Sequence, residues 1–148
     1  MKSLILHPTD TSQWYSLILE AQAQANICLP ESSESYLVFL MMRSSHNTIW
    51  LDSVVGMDFM HALQLKGKQQ KQMLVEIGDK SLLLSGFFPE LVVKRRLTPQ
   101  YYIELGQLAY ANVGNYSHDK EFQLYQELSE KFIALQQILD KARTLFQS

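Results

Sequence analysis

The chain of 148 residues is long enough for one domain, 1–148, with a core of its own. With 47% hydrophobic and 19% charged residues it lies far from disordered composition. A formal net charge of −2 gives no electrostatic reason to expect nucleic acid, and a lone Cys28 excludes an intrachain disulfide or a cysteine-built zinc cluster.

The opening Met1-Lys-Ser-Leu-Ile-Leu-His-Pro8 holds only a short apolar run, too little for a secretory signal. The longest apolar run, Tyr36 to Met42, falls well short of a transmembrane segment. Both point to a cytoplasmic protein, where the sequon Asn115-Tyr-Ser117 carries no meaning.

The apolar residues follow a period near 3.6. Asp10 is positioned to cap a first helix with the stripe Trp14, Leu17, Ile18, Ala21 and Ala25. Leu29-Pro30 breaks it. Ser32 or Ser33 starts a second helix through Tyr36, Leu37, Phe39, Leu40 and Met41, apolar almost all round and expected to be buried. Ser44-Ser-His-Asn47 ends that helix, and Thr48 to Leu51 is the one stretch with a trace of strand alternation. Asp52 is expected to cap a short third helix with Val54, Val55, Met57, Met60 and Leu63.

A fourth helix runs from about Gln69 to Gly86, with Pro89 as its stop. Thr98-Pro99 is a strong start for a fifth, carrying Tyr102, Ile103, Leu105, Leu108 and Ala109 to Gly114-Asn115. Ser117 or Asp119 opens the last. Its seam Leu124, Leu128, Phe132, Leu135, Leu139, Ala142 and Phe146 predicts one continuous helix roughly 40 Å long. The expected fold class is all-α, a bundle of about six helices.

The stretch Glu76 to Glu90 sets glycines, serines and Asp79 within an apolar segment. Gly78, Ser81 and Ser85 recur at intervals of three and four, and Gly106 and Ala109 do so on the fifth helix. Such strips suit a close helix crossing, where tight packing offsets the roughly 1 kcal/mol that a helical glycine costs. They also suit a cavity wall where a ligand approaches backbone.

Glu76, Asp79 and Glu104 raise the question of a carboxylate metal site, but only Asp58-Phe-Met-His61 approximates the Glu-x-x-His unit of a di-iron bundle. One half-motif points to no metal and no cofactor. Simpler pairings are Glu76 with Lys80, and Asp79 with Arg95, Arg96 or a helix end. Ser81 and Ser85 lack a nucleophile elbow, and no phosphate-cradling glycine loop is present, so no catalytic residue is assigned.

Phe87-Phe-Pro-Glu-Leu-Val-Val-Lys-Arg-Arg96 is the best candidate for an exposed binding surface, aromatics beside three cations. Tyr101, Tyr102, Tyr110 and Tyr116 lie close along the chain. The binding candidates are Asp79, Ser85, Phe87, Phe88, Arg95, Arg96, Tyr102 and Tyr110.

Gly78-Asp79, Ser85-Gly-Phe-Phe-Pro89, Tyr101-Tyr102, Gly106-Gln-Leu-Ala-Tyr110 and Glu127-Leu-Ser-Glu-Lys-Phe132 together resemble a family of small uncharacterised bacterial proteins with these pieces in the same order. The likeness covers roughly the second half of the chain, with a weaker echo at Tyr36 to Arg43. It implies a bacterial single-domain protein and brings no activity with it.

The reading is a non-catalytic interaction or adaptor protein, with a protein partner on a face built from Phe87–Arg96 and the fifth helix. The alternative is a small-molecule or lipid-binding bundle with its pocket between the fourth and fifth helices. A homodimer through the last helix is a further expectation.

Overall fold

The computed structural model describes residues 11–44, 49–114 and 119–147. Among them are eight α-helices, one 3-10 turn and no strand. In chain order they are α1 (Thr11–Ala25), α2 (Glu31–Ser44), the 3-10 turn (Ile49–Asp52), α3 (Val55–Ala62), α4 (Gly67–Gly86), α5 (Pro89–Lys94), α6 (Pro99–Gly114), α7 (Asp119–Glu130) and α8 (Phe132–Gln147).

Local chemistry sets the helix ends. Asn26 takes the left-handed conformation (φ 57°) that closes α1, and the Ile27 amide donates to Gln22 O at 3.0 Å. The Gln22 side chain then accepts from the Leu29 amide at 2.9 Å and donates to Glu34 at 2.7 Å, fixing the turn into α2. Thr98 caps α6 as its sequence promised, its hydroxyl accepting from the Tyr101 amide at 3.1 Å.

α4 is the hub. It packs against α3, α5, α6 and α8, and every residue from Gly78 to Gly86 is buried. A helix enclosed on all sides must offer small residues where neighbours crowd it. A Cβ on Gly78 would overlap the Tyr110 ring, and one on Gly106 would overlap the Phe132 ring and lie 3.0 Å from Ser81 Cβ. The strip does sit at the α4–α6 crossing. Its glycines make room for aromatic rings rather than for bare backbone.

Several expectations need correction. Among the described residues the bundle has eight α-helices rather than about six. The single long C-terminal helix is α7 and α8, which turn at Lys131 although Lys131 N–H still bonds Glu127 O (2.8 Å) and Leu135 N–H bonds Lys131 O (2.9 Å). The turn lets α7 lie on α6 and α2 while α8 lies on α1 and α4, with Leu128 and Phe132 buried on either side of it.

Pro89 does not simply stop α4; it is the first residue of α5, the position where its missing N–H costs nothing. Asp52 ends the 3-10 turn instead of capping α3, whose cap is the extended Val54 with no side-chain bond. α2 is not buried all round, since Phe39 is 56% exposed. Leu51, placed in the strand-like stretch, is in the 3-10 turn. The Asp10 cap, residues 45–48, Asn115, Tyr116 and Ser117 lie outside the described residues.

Candidate functional site

Asp79 on α4 is 1% exposed and is held by three donors from two helices. The hydroxyls of Tyr36 (2.7 Å) and Tyr110 (2.6 Å) both donate to Oδ1, and Arg43 Nη2 sits 3.2 Å from Oδ2. The Tyr36 and Tyr110 rings meet edge to face at 6.4 Å, and Tyr125 of α7 packs 6.0 Å from each. The carboxylate therefore joins α2 and α6 to α4, and Tyr125 adds α7 through ring packing.

Burial pushes the Asp79 carboxyl above its ordinary value, while the two tyrosine hydroxyls and Arg43 pull it back. Burial and the neighbouring carboxylate raise Tyr36 and Tyr110 far beyond the usual phenol range, so both remain donors. Of the sequence candidates, Asp79 and Tyr110 meet here. Asp79 pairs with Arg43, not with Arg95 or Arg96. Tyr36 and Arg43 were missed as site residues, although seven positions apart they share one face of α2.

The other candidates separate. Ser85 donates to Ser81 O at 2.8 Å, and its own carbonyl accepts from Gln136 at 3.0 Å. Phe87 is buried in an aromatic cluster, 6.2 Å from Trp14 and 6.0 Å from Phe146, with Phe88 packed behind it at 5.3 Å. These three build core. Glu76 lies 3.9 Å from Lys80 as expected. Asp58 of the half-motif lies 3.7 Å from the same ammonium, and no group of three or more metal-ligating side chains forms among the described residues. No helix among those residues is long and apolar enough to cross a membrane.

Arg95 and Tyr102 come together at a cleft of about 370 Å³ between the start of α3 and the α5–α6 turn. Arg95 donates to Leu51 O at 2.7 Å and lies 3.7 Å from Asp52, while Tyr102 is buried in the wall. Arg96 next to it is exposed and takes the left-handed conformation (φ 59°) that closes α5, with Leu97 N–H bonding Val92 O at 3.1 Å.

Beside this cleft α3 turns apolar side chains to solvent. Its inner face, Val55 and Ala62, is buried against α4 and pinned by Lys80, which donates to Ser53 Oγ at 2.7 Å. Val54, Met57, Met60 and Leu63 are 62%, 70%, 65% and 53% exposed. Their spacing of three makes an oblique ridge across the outer side, roughly 14 Å from end to end along the axis. Exposed cations stand at both ends, Lys94 and Arg96 near Val54, and Lys66 and Lys68 beyond Leu63. Carboxylates are present as well: Asp52 lies 3.7 Å from Arg95, Asp58 lies 3.7 Å from Lys80, and Glu90 precedes Lys94 by one turn of α5, so the exposed positive charge is confined to the two ends of the ridge.

Set against family models, curated proteins and solved structures, the chain matches none.

Proposed function

We propose that this protein is a non-catalytic interaction module that docks an acidic, amphipathic segment of a partner protein on the face formed by α3 and the α5–α6 turn. The observation that carries this is the exposed ridge Val54–Met57–Met60–Leu63. Isolated apolar residues on a surface are ordinary, but four at successive steps of three on one eight-residue helix and its flanks are not scattered singly. Methionine suits such a role because its flexible thioether adapts to the surface it meets.

The basic ends of the ridge supply the charge preference and the steering. The Asp79 cluster supports the reading from within: its hydrogen bonds and ion pair tie α2, α4 and α6 into a platform, with Tyr125 of α7 packed against the rings. A ligand pocket at the α4–α6 crossing has little to recommend it, since the Tyr110 and Phe132 rings fill the space beside Gly78 and Gly106.

Affinity capture from native cells with the wild type and two double variants, Lys94→Glu/Arg96→Glu and Met57→Glu/Met60→Glu, tests this. Both variants are expected to keep their melting temperature within a few degrees and lose the captured protein, with wild-type capture weakening as salt rises. Capture that survives both variants overturns the proposal. So does selective binding to vesicles containing phosphatidylserine, or a dimer by light scattering that Met57→Glu/Met60→Glu dissolves.

A further inference from the structure

The ridge on α3 does not end at Val54. That side chain is also a wall of the 370 Å³ cleft, whose opposite side is Leu97 and Tyr101. The volume sits at the low end of ligand-sized cavities, which run from about 300 to 1,000 Å³. It has room for one aromatic ring or branched aliphatic chain, and none for a folded element.

Its chemistry narrows the occupant further. Ser53 already accepts from Lys80 at 2.7 Å, and Arg95 is committed to the Leu51 carbonyl at 2.7 Å. Asp52 in the same lining lies 3.7 Å from Arg95, so the charged groups of the wall already face partners, and an apolar guest would cover Val54, Leu97 and the ring of Tyr101, which stand 62%, 39% and 38% exposed. The walls are also preformed. Val55 and Tyr102 are buried, and the Tyr101 hydroxyl is set so close over Gly56 that a Cβ there would overlap it.

We infer that this cleft is the anchor pocket of the docking face, taking a single large apolar side chain from the acidic partner segment. The inference rests on the reading given under Proposed function and adds a register to it. The anchor enters beside Val54, the rest of the partner's apolar side crosses Met57, Met60 and Leu63, and its acids fall toward Lys94 and Arg96 at one end and Lys66 and Lys68 at the other. A helix-in-groove contact of this kind draws most of its selectivity from one buried anchor, because an unfilled pocket leaves its lining without partners.

The test places the photo-crosslinker p-benzoylphenylalanine at the exposed position Gln64, next to the ridge and away from the cleft. Capture in native cells is then compared in three backgrounds: no further change, Leu97→Trp to plug the cleft, and Leu97→Ala to leave it open. Melting curves accompany each. The expected result is an acidic peptide bearing a large apolar residue, captured at least tenfold less with Leu97→Trp and within about threefold of normal with Leu97→Ala.

Equal capture with Leu97→Trp overturns the pocket and leaves the acidic-partner reading standing. Loss in both variants with unchanged melts also overturns it, because Leu97 is then a contact and not the lip of a cavity. Crosslinks to a lipid, to a second copy or to a segment without acids, or no crosslink at all, overturn the reading and the pocket together.

Discussion

Asp79 is a buried carboxylate whose worth depends on what replaces it. Asp79→Ala strands the hydroxyls of Tyr36 and Tyr110, and at roughly 1–3 kcal/mol for each stranded group the loss is expected to reach about 3 kcal/mol. Asp79→Asn keeps an acceptor oxygen, removes a charge from the core, and frees an Arg43 whose side chain is already 60% exposed, so about 1 kcal/mol is expected. Urea unfolding of the two variants separates them. The same pair has a pH signature. A carboxyl held above its ordinary 3.8 binds its proton more tightly folded than unfolded, so its contribution is full below that value and is lost as pH rises through the folded one. The stability of the wild type relative to Asp79→Asn should therefore decline as pH climbs from about 3.8. A flat difference would sink the assignment.

At the scale of an element, the closing turn of α5 pits two demands against each other. Arg96 occupies the left-handed position that glycine fills without strain. Arg96→Gly should stabilise the fold by about 0.5–1 kcal/mol and at the same time weaken partner capture; a gain in stability with capture untouched would leave Arg96 without a role at the face. Much of this architecture was legible beforehand. Thr98-Pro99 announced α6, and Gly78, Ser81 and Gly106 announced a crowded crossing, because helix starts and small residues leave local marks. The joint at Lys131 left none, since an unbroken seam through Leu128 and Phe132 looks the same whether or not the helix turns to follow its partners. The Asp79 cluster was half visible for a related reason: Asp79 and Tyr110 stood out, while Arg43 was recruited across the fold by α2. The exposed ridge escaped notice because periodicity says which residues share a face, not whether that face finds a neighbour.

Across the whole molecule, α8 is the clasp. It packs on α1 and α4, and stacks Phe146 on Trp14 at 5.8 Å, joining segments near the two ends of the sequence. A chain stopped after Glu130 loses Phe132, Leu135, Ile138, Leu139 and Ala142 from the core, all of them fully buried. It should show no cooperative melt and a red-shifted Trp14 emission; a sharp transition with shielded Trp14 would contradict the clasp. The same geometry has a meaning during synthesis. On the ribosome, α1 and the enclosed half of α4 emerge long before the helix that covers them, and at about 5–20 residues per second the wait lasts several seconds. For that interval Trp14, Ile18 and the Leu82–Leu84 run lack the cover that α8 supplies, with only α2 to pack on α1 and α3, α5 and α6 on α4. The nascent chain is thus a natural client for a holding chaperone, and its yield in cells should track how quickly α8 clears the exit tunnel rather than how stable the finished bundle is.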